Sequence, residues 1–444
     1  MTTTKWMLTS SFTTILLLGC GGGDSGDDTG TANSGGSSNN PINTQLTLNT
    51  VVTNKCNVQS PKPGVEVLFH NAQGDVIAEH VTDSNGLLTT EWPSDAKHVT
   101  TVALNYFTRN YGFRTLSIDT IMDTKGGDLG VIHFTDKRYT LDCDCKDVTF
   151  FVQNLIESSP ESKLNIGGGQ EYLTPYTQDF SLEWCDAKGP IDIQLVAADH
   201  QSSQAGQIDL TNLDEYTLSL DDFNHVGVMV NDPVNSRDDD IHAYSSGGWD
   251  SYNYANEPIF IYPTIAEHHY VSSSITKQIK VYDTVGYSAN SAIRKLDKQG
   301  NVSSEIVLDV NNAFSKEAYS LYETIRSQQA PYQYDFSNTS DDIAFTEIAL
   351  GGRNGDGNVS WRLHGGIRGT IPNFSFTPSL DATIHMISSQ SIRVVVKRYG
   401  DKKTLDEWRT LFVEQSRMAD PELSPLTTES NLMGLGFYDI EYTY

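Results

Sequence analysis

Pro63-Gly64-Val65-Glu66-Val67-Leu68-Phe69 leads into Asn71-Ala72-Gln73-Gly74-Asp75, then Val76-Ile77-Ala78, Thr82-Asp83-Ser84-Asn85-Gly86 and Leu87-Leu88-Thr89-Thr90. Val65 to Phe69 alternates in the period of a strand with one face buried. Gly, Asn and Asp punctuate the runs roughly every ten residues. Asp83 or Asn85 can bond nearby backbone, and Gly86 supplies the positive φ that the turn needs. Short strands joined by tight turns make an antiparallel sandwich, so the expected fold class is all-β or β-rich.

The same pattern continues toward the C-terminus. Val148-Thr149-Phe150-Phe151-Val152, Phe180 to Cys185, Ile191 to Leu195 and Val226 to Val230 form a second strand-rich block. Trp184 is expected to face inward beside a disulfide, and Asn231-Asp232-Pro233 marks the end of the block. Beyond it, Ile259-Phe260-Ile261, Ile279 to Tyr282 and Ile392 to Val396 read as strands. Two short helices are predicted, over 315–327 and 405–418. The first puts Ala318, Leu321, Tyr322 and Ile325 on one face, with Ser315 as its cap. The second has Thr404 and Glu407 in capping-box spacing and Leu405, Trp408, Leu411 and Phe412 on its apolar face. Tyr438 to Tyr444 alternates strictly and predicts a closing strand of a soluble sheet. The expected architecture is tandem β-sandwich modules at 45–142 and 143–232, followed by a larger β-rich domain at 233–444 with two short helices.

Residues 60–110 resemble the carboxypeptidase regulatory-like, or transthyretin-like, module. Pro63-Gly64-Val65-Glu66-Val67, Gly74-Asp75-Val76 and Thr82-Asp83-Ser84-Asn85-Gly86 carry that family's strand and its two turns in order. The resemblance implies a β-sandwich with an accessory, non-catalytic role. Cys56 before the first strand and the pair Tyr106 and Tyr111 depart from the pattern.

Leu17-Leu18-Gly19-Cys20 follows the apolar run Phe12 to Leu18 and precedes Gly21-Gly22-Gly23-Asp24. The run is too short to span a bilayer, which takes about 20 apolar residues. The order resembles the signal peptide and lipobox of bacterial lipoproteins. That resemblance implies removal of residues 1–19, lipidation of Cys20 and attachment to the membrane through the N-terminal lipid. Gly21, in place of Asp, directs such a protein to the outer membrane by the family's sorting rule. Residues 20–44 then form a lipidated cysteine and a flexible tether, too rich in Gly, Ser, Asp, Asn and Thr to bury a core. With Cys20 set aside, Cys56, Cys143, Cys145 and Cys185 remain as disulfide candidates in an oxidising compartment. The favoured pairing is Cys56–Cys143 with Cys145–Cys185, and the alternative is Cys56–Cys145 with Cys143–Cys185. A metal site at Cys143-Asp144-Cys145 lacks the usual two-residue spacer.

The chain carries 57 acidic and 30 basic residues, a net charge of −27. Nucleic acid is an unsuitable partner, because phosphate backbones need a basic face. Catalytic motifs are sparse. Gly286-Tyr287-Ser288-Ala289-Asn290 lacks the final Gly of a nucleophile elbow, and Ser274-Ile275-Thr276-Lys277 lacks its companion motifs. Two binding candidates remain. Asn354, Asp356 and Asn358 place oxygen donors at alternate positions, as a Ca2+ loop does, without its Gly and Glu anchors. Trp249, Tyr252 and Tyr254 lie among Asp and Asn in a loop-like tract after Gly247-Gly248, a composition suited to glycan contact. The expected function is therefore a lipid-anchored cell-envelope protein whose body is a non-catalytic binding, adhesion or scaffolding module, with a glycan or an envelope protein as partner and no cofactor beyond that candidate Ca2+. The alternative is an envelope hydrolase acting on polysaccharide or peptide through paired carboxylates in its C-terminal domain.

Overall fold

The computed structural model describes residues 45–106, 114–138, 143–231, 239–245, 249–253, 258–281, 284–303, 312–327, 331–339, 344–354, 357–378, 380–381, 389–399, 404–417 and 430–440. They form a β-rich molecule, as the alternating runs predict. The first block contains β1 (Gln45–Thr53), β2 (Gln59–Pro61), β3 (Glu66–His70), β4 (Val76–Val81), β5 (Leu87–Glu91), β6 (His98–Tyr106), β7 (Arg114–Ile121) and β8 (Gly127–Thr135). One layer pairs β2, β5 and, in parallel, β8 with β1. The other runs β4-β3-β6-β7. Leu46, Leu48, Leu88 and Leu129 from the first layer meet Val67, Phe69 and Val99 from the second in a dry core. The turn read at 83–86 forms as expected. Asp83 Oδ1 accepts hydrogen bonds from the amides of Asn85 (2.8 Å) and Leu87 (2.9 Å), and Gly86 sits at φ +72°. Asn71 and Asp297 make the same amide-capping turn.

A second sandwich follows. Its strands are β9 (Cys145–Phe151), β10 (Lys163–Ile166), β11 (Gly169–Tyr172), β12 (Phe180–Cys185), β13 (Ile191–Val196), β14 (Ser203–Ile208), β15 (Glu215–Thr217) and β16 (His225–Val226), with a short helix α1 (Gln153–Ser158). The layers are β11-β10-β13-β14-β16 and β12-β9-β15. Val148, Phe150, Leu155, Leu164, Ile193 and Leu218 form its core, and Trp184 packs half-buried at the margin.

The remaining strands are β17 (Val228–Met229), β18 (Asp239–Ser245), β19 (Trp249–Asn253), β20 (Phe260–Ile261), β21 (His269–Val281), β22 (Thr284–Leu296), β23 (Tyr332–Asp335), β24 (Phe345–Asn354), β25 (Gly357–Gly365), β26 (Arg368–Ile371), β27 (Ser389–Tyr399) and β28 (Ser430–Ile440). Two helices accompany them, α2 (Asn312–Arg326) and α3 (Leu405–Gln415). Both were legible. Ala318, Leu321, Tyr322 and Ile325 are buried on α2, and Thr404 with Glu407 closes a capping box on α3. Ser315 is not a cap. The helix begins at Asn312, so Ser315 lies one turn inside it and is buried.

Twelve strands make one sheet in the order β19-β18-β21-β22-β28-β27-β24-β25-β7-β6-β3-β4. Hydrogen bonding therefore runs across the sequence boundary drawn at 142, through the parallel pairing of β25 with β7. This explains why β3 is buried on both faces. Val67 and Phe69 face the sandwich, while Leu68 joins Ile118, Ile348, Leu363 and Val394 under α2. Of the stretch expected to close a soluble sheet, 438–440 form the end of β28, which pairs with β22 and β27 inside the sheet, and 441–444 lie outside the described residues.

Candidate functional site

Three local arrangements concentrate chemistry among the described residues. The first is the cysteine cluster between the two sandwiches. Cys56 is bonded to Cys143 and Cys145 to Cys185, which is the favoured pairing from the sequence. Asn54 Oδ1 shapes the turn that presents Cys56, accepting from the amides of Cys56 (2.9 Å) and Val58 (3.0 Å). Cys145 and Cys185 stand directly opposite each other on β9 and β12. The sulfurs of Cys56, Cys143 and Cys145 lie within 4.8 Å of one another. A metal takes thiolates, and these sulfurs are consumed in disulfides, so the cluster is a staple at the module boundary.

The second is a row of charged side chains on one face of the shared sheet. Arg362 on β25 forks onto Asp119 on β7, with Nε 2.7 Å from Oδ1 and Nη2 donating to Oδ2 at 3.0 Å. His364 Nε2 lies 3.4 Å from the same carboxylate. Glu347 on β24 accepts from Lys397 Nζ on β27 at 2.9 Å. Burial favours the neutral acid at Asp119. The Arg362 charge and the His364 contacts outweigh it and hold that carboxyl below its ordinary value. Burial likewise opposes ionisation of Glu347, yet the Lys397 and His364 charges pull its carboxyl well below the usual range. Phe345 closes the row, stacking on His364 (5.7 Å) and on Trp408 of α3 (3.7 Å). Arg409 of α3 donates to the carbonyls of Met122 and Asp123, fastening the helix over the end of β7. Both carboxylates are therefore held ionised by cations. A hydrolase pair needs one carboxyl raised to act as an acid.

The third is a shallow groove along the β11 edge of the second sandwich, with a volume of about 490 Å³. Edge strand β11 and the crossover to β12 line it with Glu171, Tyr172, Thr174, Tyr176, Gln178 and Asp179. Tyr176 is 90% exposed and Tyr172 51%. The crossover is nonetheless well braced. Leu173 is buried in the sandwich core, Thr177 Oγ1 donates to the Tyr172 carbonyl (2.8 Å), and the Thr174 amide donates to Thr177 Oγ1 (2.9 Å). Asp179 Oδ1 accepts from the Val152 amide at the start of α1 (3.0 Å). No motif in the sequence marks this groove. Its signal was Tyr172-Leu173-Thr174-Pro175-Tyr176, two tyrosines flanking a proline between strands.

Cys20, Tyr254 and Asp356 lie outside the described residues. Trp249 and Tyr252 are on β19, a strand paired with β18, where the sequence suggested a loop. Asn354 ends β24 and Asn358 is the second residue of β25, in a hairpin whose pairing runs to Asn354 opposite Gly357.

No protein-family model and no curated protein sequence matches the chain. Among solved structures, two B repeat units of the collagen-binding protein of Staphylococcus aureus align at 10% identity, covering 81% of this chain and 97% of that one, with a TM-score of 0.13. The native conformation of E. coli alpha-2-macroglobulin aligns at 8% identity, covering 84% of this chain and 26% of that one, with a TM-score of 0.11. Scores this low carry no argument about this protein.

Proposed function

We propose that this protein is a lipid-anchored component of the bacterial outer membrane whose β-rich body is a non-catalytic binding or adhesion module. The lipobox-like segment ending at Cys20 supplies the anchor, and the polar tract to residue 44 supplies the tether. On this reading the stretch at 60–110 is an accessory module of the carboxypeptidase regulatory-like kind. The observation that carries the non-catalytic assignment is the charged row. Asp119 and Glu347 are neutralised by Arg362 and Lys397, and helix α3 packs over the ring that closes them in. Ion pairs of this kind hold strands together and keep these two carboxylates from serving as a proton donor to a leaving group.

The anchor is tested by labelling cells with radioactive palmitate. The wild-type chain is expected to incorporate label and Cys20→Ala to incorporate none. Equal incorporation by the two would contradict the anchor.

A further inference from the structure

We infer that the groove carrying Tyr172 and Tyr176 binds the chain of a neutral polysaccharide. The inference rests on the binding-module reading and names its ligand class and its site. Three observations carry it. First, Tyr176 is 90% exposed on a crossover whose backbone is fixed by the paired threonines and by buried Leu173. An exposed ring on a braced backbone has only its two side-chain torsions to fix on contact. Second, the rest of the lining is rich in acceptors: the carboxylates of Glu171 and Asp179, the amide oxygen of Gln178 and the hydroxyl of Thr174. Sugar hydroxyls donate to such groups, while the apolar C–H face of a pyranose lies against an aromatic ring. Third, the groove is shallow and lies along an edge strand, a shape for part of a long chain rather than for an enclosed small molecule. The two carboxylates, in a protein of net charge −27, set the sign: an anionic polysaccharide would be repelled, so the ligand is a chain without acidic groups, and stacking with hydrogen bonding asks for no charge on it.

The test is native gel electrophoresis of the full chain in gels containing soluble starch, laminarin, xyloglucan, galactomannan or barley β-glucan. At least one is expected to retard the wild-type protein. Tyr176→Ala and Tyr172→Ala should each weaken that retardation by about tenfold, the scale of one lost stacking contact. Tyr176→Trp should preserve it. Tyr287→Ala, at an exposed tyrosine on β22, should leave it unchanged. No retardation in any of the gels would overturn the proposal. Retardation that survives Tyr176→Ala would also overturn the site, while leaving the binding-module reading intact. Binding to gelatin-coated beads that depends on Tyr176, with no retardation by polysaccharide, would replace the saccharide with a polypeptide. Palmitate labelling reads the anchor separately, so failure of one is not failure of the other.

Discussion

Asp119 and Arg362 stand directly opposite each other on parallel strands β7 and β25, although 243 residues separate them in the sequence. Their forked contact lies at the seam between the first module and the C-terminal region. A buried ion pair gains little over a well-packed apolar pair, but removing one partner strands the other charge. The pair is half-buried, with 29% of the Arg362 side chain exposed, so Arg362→Ala is expected to cost about 1–3 kcal/mol in urea unfolding, below the fully buried limit. The double variant Asp119→Leu/Arg362→Met should recover most of that loss. A single variant within ~0.5 kcal/mol of wild type would show that the pair does not hold the seam.

Gly64 and Gly86 have nearly the same backbone, φ +74° and +72°, but different surroundings. A Cβ on Gly64 would meet nothing within 4 Å, whereas one on Gly86 would be driven into the Thr50 carbonyl oxygen. Gly64→Ala should cost about 1 kcal/mol, the conformational term alone. Gly86→Ala should cost about 3 kcal/mol or more, because β1 must move away. Thermal unfolding of the two variants side by side separates the terms.

His70 is fully buried, and its Nδ1 donates to the Gly74 carbonyl at 3.1 Å. Burial dominates and lowers its pKa to about 4, with His98 adding to the effect while the Gly74 carbonyl and Asp75 oppose it. The rings of Phe374 and Phe376 pack edge-on against the imidazole and offer no acceptor for a second proton. The unfolded chain takes up a proton near pH 6.5 and the folded chain only near pH 4. Stability is thus fully present above about pH 6.5 and falls by up to about 3 kcal/mol as the pH drops to 4. Urea midpoints measured across that window should fall in the wild type, and His70→Gln should flatten the fall. An unchanged slope in the variant would remove His70 as the cause.

The disulfides give a covalent check. Peptide mapping without reductant should recover Cys56 linked to Cys143 and Cys145 linked to Cys185. Replacing Cys145 and Cys185 together with Ser should cost about 2–4 kcal/mol, the usual range for a bridge of this size. Recovery of Cys56 linked to Cys145 would contradict the pairing.

The features that were legible in the sequence are local ones. Asp83 and Gly86 specify their turn within five residues, and Thr404 with Glu407 specifies the start of α3. The apolar stripe of α2 was equally plain, because helical spacing repeats within one element. What stayed hidden depends on distant partners. Nothing in the period of β7 says that Asp119 will meet Arg362, and nothing in β3 says that Leu68 will be covered by α2. The alternation from Val65 to Phe69 suggested one buried face, but the C-terminal region buries the other. At 249–253, Gly247-Gly248 and the surrounding Asp and Asn suggested a loop, and pairing with β18 overrode that local preference. Tyr172 and Tyr176 belong to no motif, and only the crossover from β11 to β12 places them at an exposed groove.

The central structural claim is that the first module and the C-terminal region share one sheet. Native-state hydrogen exchange on the full chain tests it most directly. The account predicts that backbone amides of β7 and β25 exchange together, at the same slow rate as those of β24 and β6. Rapid exchange along β25 on the side facing β7, with β24 still protected, would contradict it.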